Sequence, residues 1–575
     1  MDKRFFLALL LTAIVIIAPP LFFQRGGVQH ASSSVDTSRV AHRPDSANKQ
    51  APVASVGASA QNAGASTVPS QNAVAAQAPV ETTTVETRLA RYRFASQGAV
   101  PIAVALDSYP SRRPGRVPNA ASELLPAKTA LAHLRLAFGG DTIALDTISL
   151  RGVTTPGATG PTVTYTGTVG GRPLTLSYTV VADSFLLRVA ANVVGAPSGS
   201  ALLLALPPTL QSNEPDTLDD MRHLAVSYRL KSSGDIESVA FSKLDSAEVR
   251  TETRPTEWVA TRNKYFLVAY RAAAKTPFSG VKLQGAPRTG KVANAVSANV
   301  VLPLTPDGHA AFDIYAGPQD FERLQKLGSD LDQVNPYGGI LRAVVQPFAV
   351  IVMKVLLWIK RTTHLNYGWV LVLFGVGIRL VLWPLNQGAM RTSLKMQRLQ
   401  PELQALQKKY SDDPRKQQEA IMKVYKDHDM SPLSPLMGCL PMLLPMPVLF
   451  ALYFVFQNTI EFRGVPFLWL PDISLRDPYF ITPILMGLSM FLMSWIGTRN
   501  APPNPQAKMM MFMMPVMLTV LFFNFASGLN LYYAVQNIAA IPQQWLLARE
   551  RAKEPAPPAT AVIRGMPAPA QKRRS

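Results

Sequence analysis

The sequence predicts an α+β membrane protein: six transmembrane helices and a large antiparallel β-sandwich domain on the far side of the membrane. Three observations predict it. The mean hydropathy of +0.11 over 575 residues averages a polar amino-terminal half with a strongly apolar carboxy-terminal third. Short alternating runs between residues 86 and 335 have the period of β-strands. The basic residues cluster beside the apolar runs, on one consistent side.

Composition removes several classes at once. With 48% hydrophobic and 16% charged residues, the chain has enough apolar surface to build cores. Cys439 is the single cysteine, so neither an intramolecular disulfide nor a Cys-rich metal site can form. A net charge of +20 invites a nucleic-acid reading, but residues 86–341 hold 26 basic against 22 acidic residues. The excess sits in 386–436 (nine basic, six acidic) and from Arg549 onward (seven basic, two acidic), where it specifies topology.

The elements follow in order. Phe5–Phe23 is apolar for 19 residues behind Lys3 and Arg4, long enough to span, and no small-x-small cleavage site follows it. Residues 1–25 are therefore expected to be an uncleaved anchor. Gly26 to Val85 lacks Leu, Ile, Met, Phe, Tyr and Trp, so 26–85 is expected to be a disordered Ala/Ser/Pro-rich linker. Residues 86–335 form the β domain: Thr162–Val169 alternates, Gly170-Gly171 turns and Leu174–Val180 resumes. Phe185–Val194, Ala201–Leu206, Tyr265–Tyr270 and Val296–Leu302 are further strand candidates.

From Tyr337 the period changes to a helical one, with Leu341, Val345, Phe348, Val352, Leu356 and Ile359 in one stripe. Residues 336–361 read as an amphipathic helix on the membrane surface, or as a packed helix of the soluble domain. Five apolar spans follow within 366–548: Tyr367–Leu385, Leu436–Gln457, Phe480–Gly497, Met509–Phe525 and Leu529–Leu547. Between the first two, 386–436 has two apolar stripes (Met390, Leu394, Leu399, Leu403, Leu406; then Ile421, Val424, Tyr425), with Asp413 and Pro414 placed to open a second helix. The basic hairpin, Arg499, Lys508 and the 549–575 tail all fall on the side of the amino terminus. Both termini are then cytoplasmic, and residues 26–365 lie outside.

Arg379 is the strongest single signal, because apolar residues flank it on both sides within the second span. A charge at mid-bilayer costs about 2.5–3.5 kcal/mol on insertion scales. It either snorkels towards cytoplasmic headgroups or points into a hydrated cavity. The last span carries Asn530, Tyr533, Asn537 and Gln544 at i, i+3, i+7 and i+14, with Tyr532 and Gln536 beside them, and Gln457 ends the third span. These groups read as the polar lining of such a cavity, or as interhelical glue. No intramembrane Asp or Glu complements Arg379, which suits a transient anionic guest. Met510, Met513, Met514 and Met517 crowd the fifth span, either as a surface for varied apolar partners or as lipid-facing filler. No phosphate loop, HExxH or GxSxG occurs, and the seven histidines are scattered, so no enzyme, cofactor or metal is expected. An anion transporter or channel built on Arg379 is the competing class, against which stands the lack of internal repeats. A structural sheath for envelope assembly, acting through the β domain, is a third reading.

Ile378–Leu385, Lys395–Gln404, Pro478–Gly487 and Asn530-Leu531-Tyr532-Tyr533 together resemble motifs of the YidC–Oxa–Alb family of membrane protein insertases, in order. The resemblance is strong over 336–550, and the amino-terminal part is similar to the Gram-negative arrangement of an extra span and a periplasmic domain. It implies a five-helix core around a hydrophilic groove in the inner membrane. Arg379 would be the groove arginine, and Tyr532 and Tyr533 the substrate-contacting pair. Asn530, Gln536, Asn537 and Gln457 would line the groove, and the Met510, Met513, Met514 and Met517 face would be a hydrophobic slide. The implied function is insertion and folding of inner-membrane proteins. The implied partners are nascent membrane proteins, the Sec translocon, the ribosome (met by the hairpin and basic tail) and membrane lipids, with no specific nucleic acid.

Overall fold

The computed structural model describes residues 80–553, apart from 274–275, 288–292, 336, 338–341, 385–386, 388–398, 400–401, 404, 412, 428–445 and 500–504. The expected anchor, most of the expected linker, the start of the third span and most of the basic tail lie outside the described residues.

Between Thr82 and Pro318 every strand pairing is antiparallel. A nine-stranded sheet runs from the edge strand Ile236–Ala240 to the edge strand Arg151–Thr155. A six-stranded sheet runs from Val249–Glu252 to Asp141–Ala144, and a four-stranded one from Thr82–Glu86 to Ala121–Glu123. The period-2 pattern explains the pairing. Along Arg172–Val180, Leu174, Leu176, Tyr178 and Val180 are buried while the residues between them are not. Val169 faces Arg172 across a two-residue turn, where Gly170 (φ +58°) and Gly171 (φ +75°) take the left-handed conformation such a turn requires. The buried faces share one core around the wholly buried Tyr92, Tyr178, Trp258 and Tyr270.

One boundary moves. Thr82–Glu86 is a strand paired with Ala90–Ala95, although the linker was expected to continue to residue 85. The Thr82-Thr83-Thr84-Val85 run is β-branched throughout, and ladder hydrogen bonds plus one buried Val85 order it without large apolar side chains.

The helices with described bounds are α1 (Thr217–Arg222) and α2 (Phe321–Leu327) in the β domain, then α3 (Arg342–Thr363), α4 (Tyr367–Val381), α5 (Pro414–Asp427), α6 (Met446–Asn458), α7 (Ile481–Thr498), α8 (Pro505–Phe522) and α9 (Ser527–Lys553). α3 and α4 meet at 118°. Asn366 makes the corner: its side chain accepts from the Gly368 amide at 2.9 Å, and its Nδ2 donates to the Pro466 carbonyl at 3.0 Å. α3 packs against α6 through the buried face of Val345, Ala349, Val352, Met353 and Leu356. Its outer face is also apolar, with Phe348, Ile351 and Trp358 exposed, so Phe348 leaves the expected stripe. α9 packs on α4 and α7, and α7 on α8. Gly487 lets α7 and α8 close together, because a Cβ there would collide with Thr519. In the hairpin, Leu399, Leu406, Val424 and Tyr425 bury one another, and Asp413 caps α5 by accepting from the Lys416 amide at 3.2 Å.

By length and apolarity, α7 is the one described helix able to cross a membrane alone, and α3 with α4 qualifies only as a bent pair. The expected six spans therefore exceed what the described helices show. α4 is 15 residues long, α6 is described only from Met446, and α9 carries many amides that lower its hydropathy.

The loop joining α6 to α7 is seated in the β domain. Ile460 belongs to the β-domain core. Arg463, 3% exposed, donates to Glu214 Oε1 at 2.7 Å and to the Asn213 carbonyl at 3.2 Å, with its guanidinium over Phe266. Arg112 donates to Asp472 Oδ2 at 2.6 Å, and Asp472 also accepts from the Gly464 amide at 2.9 Å. Asp477 opens α7 by accepting from the Thr482 amide at 2.7 Å.

Candidate functional site

Arg379 lies 12 residues into α4, roughly 18 Å along the axis at about 1.5 Å per residue. The Tyr367 ring meets Phe462 at 5.2 Å, so the start of α4 sits at the loop end of α6 and Arg379 sits far from it. Its Nη2 donates to Gln543 Oε1 at 2.9 Å, and Gln543 Nε2 donates onward to the Trp383 carbonyl at 3.4 Å. Gln543 is 4% exposed. Among the described residues the buried Arg379 Nε has no acceptor, and no carboxylate pairs with the guanidinium. A neutral amide is a weak match for a cation out of water, which leaves donor capacity for an incoming acceptor.

α9 carries its polar groups on two faces. Tyr532, Gln536 and Gln543, at i, i+4 and i+11, look at α4. Gln536 Nε2 donates to Tyr532 Oη at 2.9 Å and to the Gly375 carbonyl at 3.2 Å, while the Tyr532 ring lies 5.8 Å from Phe374. Gly375 permits this approach: a Cβ there would stand 3.1 Å from Val535. The second face looks at α7 and α8. Asn537 Nδ2 donates to Ser489 Oγ at 3.2 Å, and the Gln544 amide lies against Gly497. Asn530, fully buried, donates to the Phe522 carbonyl at 3.2 Å, and the Tyr533 ring packs on Phe522.

This corrects the sequence picture. Asn530, Tyr533, Asn537 and Gln544 do share a face, but it is not the face that meets Arg379. Asn530 seals the α8–α9 turn, and Gln457 ends α6 beside the loop, far along the axis from Arg379. Arg379, Tyr532 and Gln536 are brought together, and Gln543 completes the group. On α8, Met513 and Met517 line an open apolar hollow with Met509, Phe512 and Val516. Met514 is half-buried beside them, and the Met510 side chain lies outside the described residues.

Residues 358–554 match the family model of the 60Kd inner membrane protein, and residues 82–351 match that of the YidC periplasmic domain. The membrane protein insertase YidC of Chlorobaculum tepidum is 32% identical over 451 residues, covering 72% of this chain and 74% of that relative. The chain belongs to the YidC family of membrane protein insertases. The YidC proteins of Stutzerimonas stutzeri (33% identical over 320 residues, 54% of each chain) and Anaeromyxobacter dehalogenans (38% over 273, 47% of this chain and 48% of the relative) also match. Those two alignments span about half of the relative. A crystal structure of an active YidC insertase with its first transmembrane domain resolved is 18% identical, covering 81% of this chain and 94% of that one, at a TM-score of 0.33.

The described groups around Arg379 fall inside the segment matching the 60Kd inner membrane protein, and the boundary between the two matched segments falls within α3. Gln543 was missed in the sequence, although counting seven residues from Gln536 reaches it. The Arg463–Glu214 pair, 249 residues apart, left no local signal.

Proposed function

We propose that this chain inserts and folds integral membrane proteins in the bacterial inner membrane, and that Arg379 receives the segment to be translocated. The observation that carries the reading is the half-buried guanidinium, held by the Gln543 amide with its Nε unpaired. An acidic or carbonyl-rich substrate segment supplies the missing acceptors and is held briefly. Its apolar neighbour then partitions into lipid beside the methionine-rich face of α8. Twenty apolar residues at roughly −0.3 to −0.6 kcal/mol each supply on the order of 6–12 kcal/mol, so no covalent step is needed. Tyr532 and Gln536 keep the arginine end of α4 against α9. Tyr533, Asn530, Asn537 and Gln457 act on the helix packing around it.

In this reading the six spans, the surface helix α3 and the hairpin form the working core. The 82–335 domain lies in the periplasm behind a 26–81 linker. Nascent chains meet the core alone or with the Sec translocon, and the ribosome meets the hairpin and basic tail. Purified protein in liposomes should protect a small two-span substrate with a short acidic loop from external protease. Anion flux without protection would reject the proposal.

The charge distribution yields a topology test. Cysteines at Lys408 and Ala568 in a Cys439→Ser background should resist an impermeant thiol reagent added to intact spheroplasts, and a cysteine at Val153 should react. Labelling at either of the first two would overturn the six-span arrangement.

A further inference from the structure

We infer that the pocket around Glu461 is a proton-binding site, and that the proton held there keeps the β domain docked on the helical core. Its walls come from three places: Gln319 and Asn335 of the segment leaving the β domain, Met353 of α3, and Asn458 and Glu461 at the end of α6. The enclosed space is about 10 Å³, room for one water. Four polar atoms around it are buried without partners: Gln319 Oε1, Asn458 Oδ1, Glu461 Oε2 and Asn335 Nδ2. Three of these are acceptors and the fourth is an amide nitrogen with two hydrogens; Glu461 Oε2 is the one carboxylate oxygen among them, and no cation is among the described residues that line the pocket. A proton on Glu461 turns one acceptor into a donor and, with a water, lets the set pair.

The charges point the same way. Glu461 Oε1 accepts from the Phe321 amide at 3.3 Å, and the carboxylate's other described donor is its own backbone amide. From the β-domain side, Asp320 and Glu322 face it as like charges, and their cations are engaged: Arg323 with Asp320 at 3.5 Å, and Arg361 of α3 with Glu322. Asp332 lines the pocket with Lys354 of α3 in range, Tyr337 bonds Thr459, and Tyr109 and Tyr367 stand nearby. Arg463, two residues on, belongs to Glu214. Burial first, then Asp320, pushes the Glu461 carboxyl from 4.5 up to about 8.

A carboxyl whose value rises on docking takes up a proton, so docking is strongest at acid pH. It weakens by nearly tenfold per pH unit between about 4.5 and 8, then levels off. Because Ile460 sits in the β-domain core, an Ile460→Cys thiol reacts only when the junction opens. The full chain, in a Cys439→Ser background and in lipid, is labelled with an impermeant maleimide at pH 5–9, with and without Glu461→Gln. The ratio of the two rates cancels the thiol's own pH dependence. It should rise on the order of a hundredfold from pH 5 to 8 as Glu461 ionises. A flat ratio, or faster labelling of Glu461→Gln at pH 5, overturns the inference. Should Glu461→Gln fail to fold, Asp320→Asn keeps the α2 cap and removes the like charge. The rise should then level off at lower pH, and an unmoved curve rejects the site.

Discussion

An Arg379→Ala chain is expected to lose at least nine-tenths of its insertion of substrates whose translocated segment carries Asp or Glu, while Arg379→Lys keeps a substantial part. Alanine removes both the charge and every donor at a position whose only resolved partner is Gln543. Lysine keeps the charge with fewer donors and a different shape. A hydrogen bond to a charged group is worth about 1.5–3 kcal/mol, or roughly ten- to a hundredfold in rate. Gln543→Leu tests the holder separately. It frees the guanidinium and removes the tie to the Trp383 carbonyl, so insertion should fall by less than in Arg379→Ala. Complementation of a depleted strain, scored with an acidic and a neutral substrate, checks all three. Equal insertion of both substrates by the alanine chain would contradict the role given to the charge.

Arg463→Ala should have the largest effect on stability. The ion pair with Glu214 is almost dry, at 3% and 7% side-chain exposure, and it joins the membrane-side loop to the β domain. Removing one member of such a pair strands the other, at about 3–5 kcal/mol. Replacing both by apolar residues, as Glu214→Leu with Arg463→Met, should recover most of the loss. Burial lifts the Glu214 carboxyl above its usual range even with Arg463 pulling it down. Without the arginine the lift grows, so the alanine chain should lose further stability as pH rises from 5 to 8. Thermal unfolding in lipid at those two pH values checks both statements. A double variant as damaged as the single one would show that packing around Phe266, rather than pairing, holds the junction.

What was legible in the sequence was local and periodic. The Thr162–Val180 hairpin, its Gly170-Gly171 turn and the Asp413 cap each depend on residues a few positions apart, and each stands where the pattern put it. Strands such as Leu186–Val193 and Val296–Pro303 fall within a residue or two of their runs. Arg379 announced itself because a charge among apolar neighbours is a one-dimensional signal. Which face of α9 meets it was not one-dimensional. Two amide-bearing faces about 110° apart compete, and helix packing decides between them: Gly375 lets α9 close on α4 beside Tyr532 and Gln536, while Asn537 reaches Ser489 of α7. The junction was least legible. Arg112 meets Asp472 across 360 residues, and neither differs in its local context from an ordinary solvated charge.

If a substrate passes against the face that α4 and α9 share, photo-cross-linking during insertion will trap it there. A benzophenone side chain at Tyr532 keeps an aromatic ring beside Phe374 and within reach of Arg379. The same probe at Val381, 75% exposed and on the opposite side of α4 from Arg379, is the control. With a stalled substrate carrying an acidic translocated segment, adducts should form from position 532 and fall away when the chain also carries Arg379→Ala. Insertion that proceeds with adducts from Val381 and none from position 532 would rule out that route.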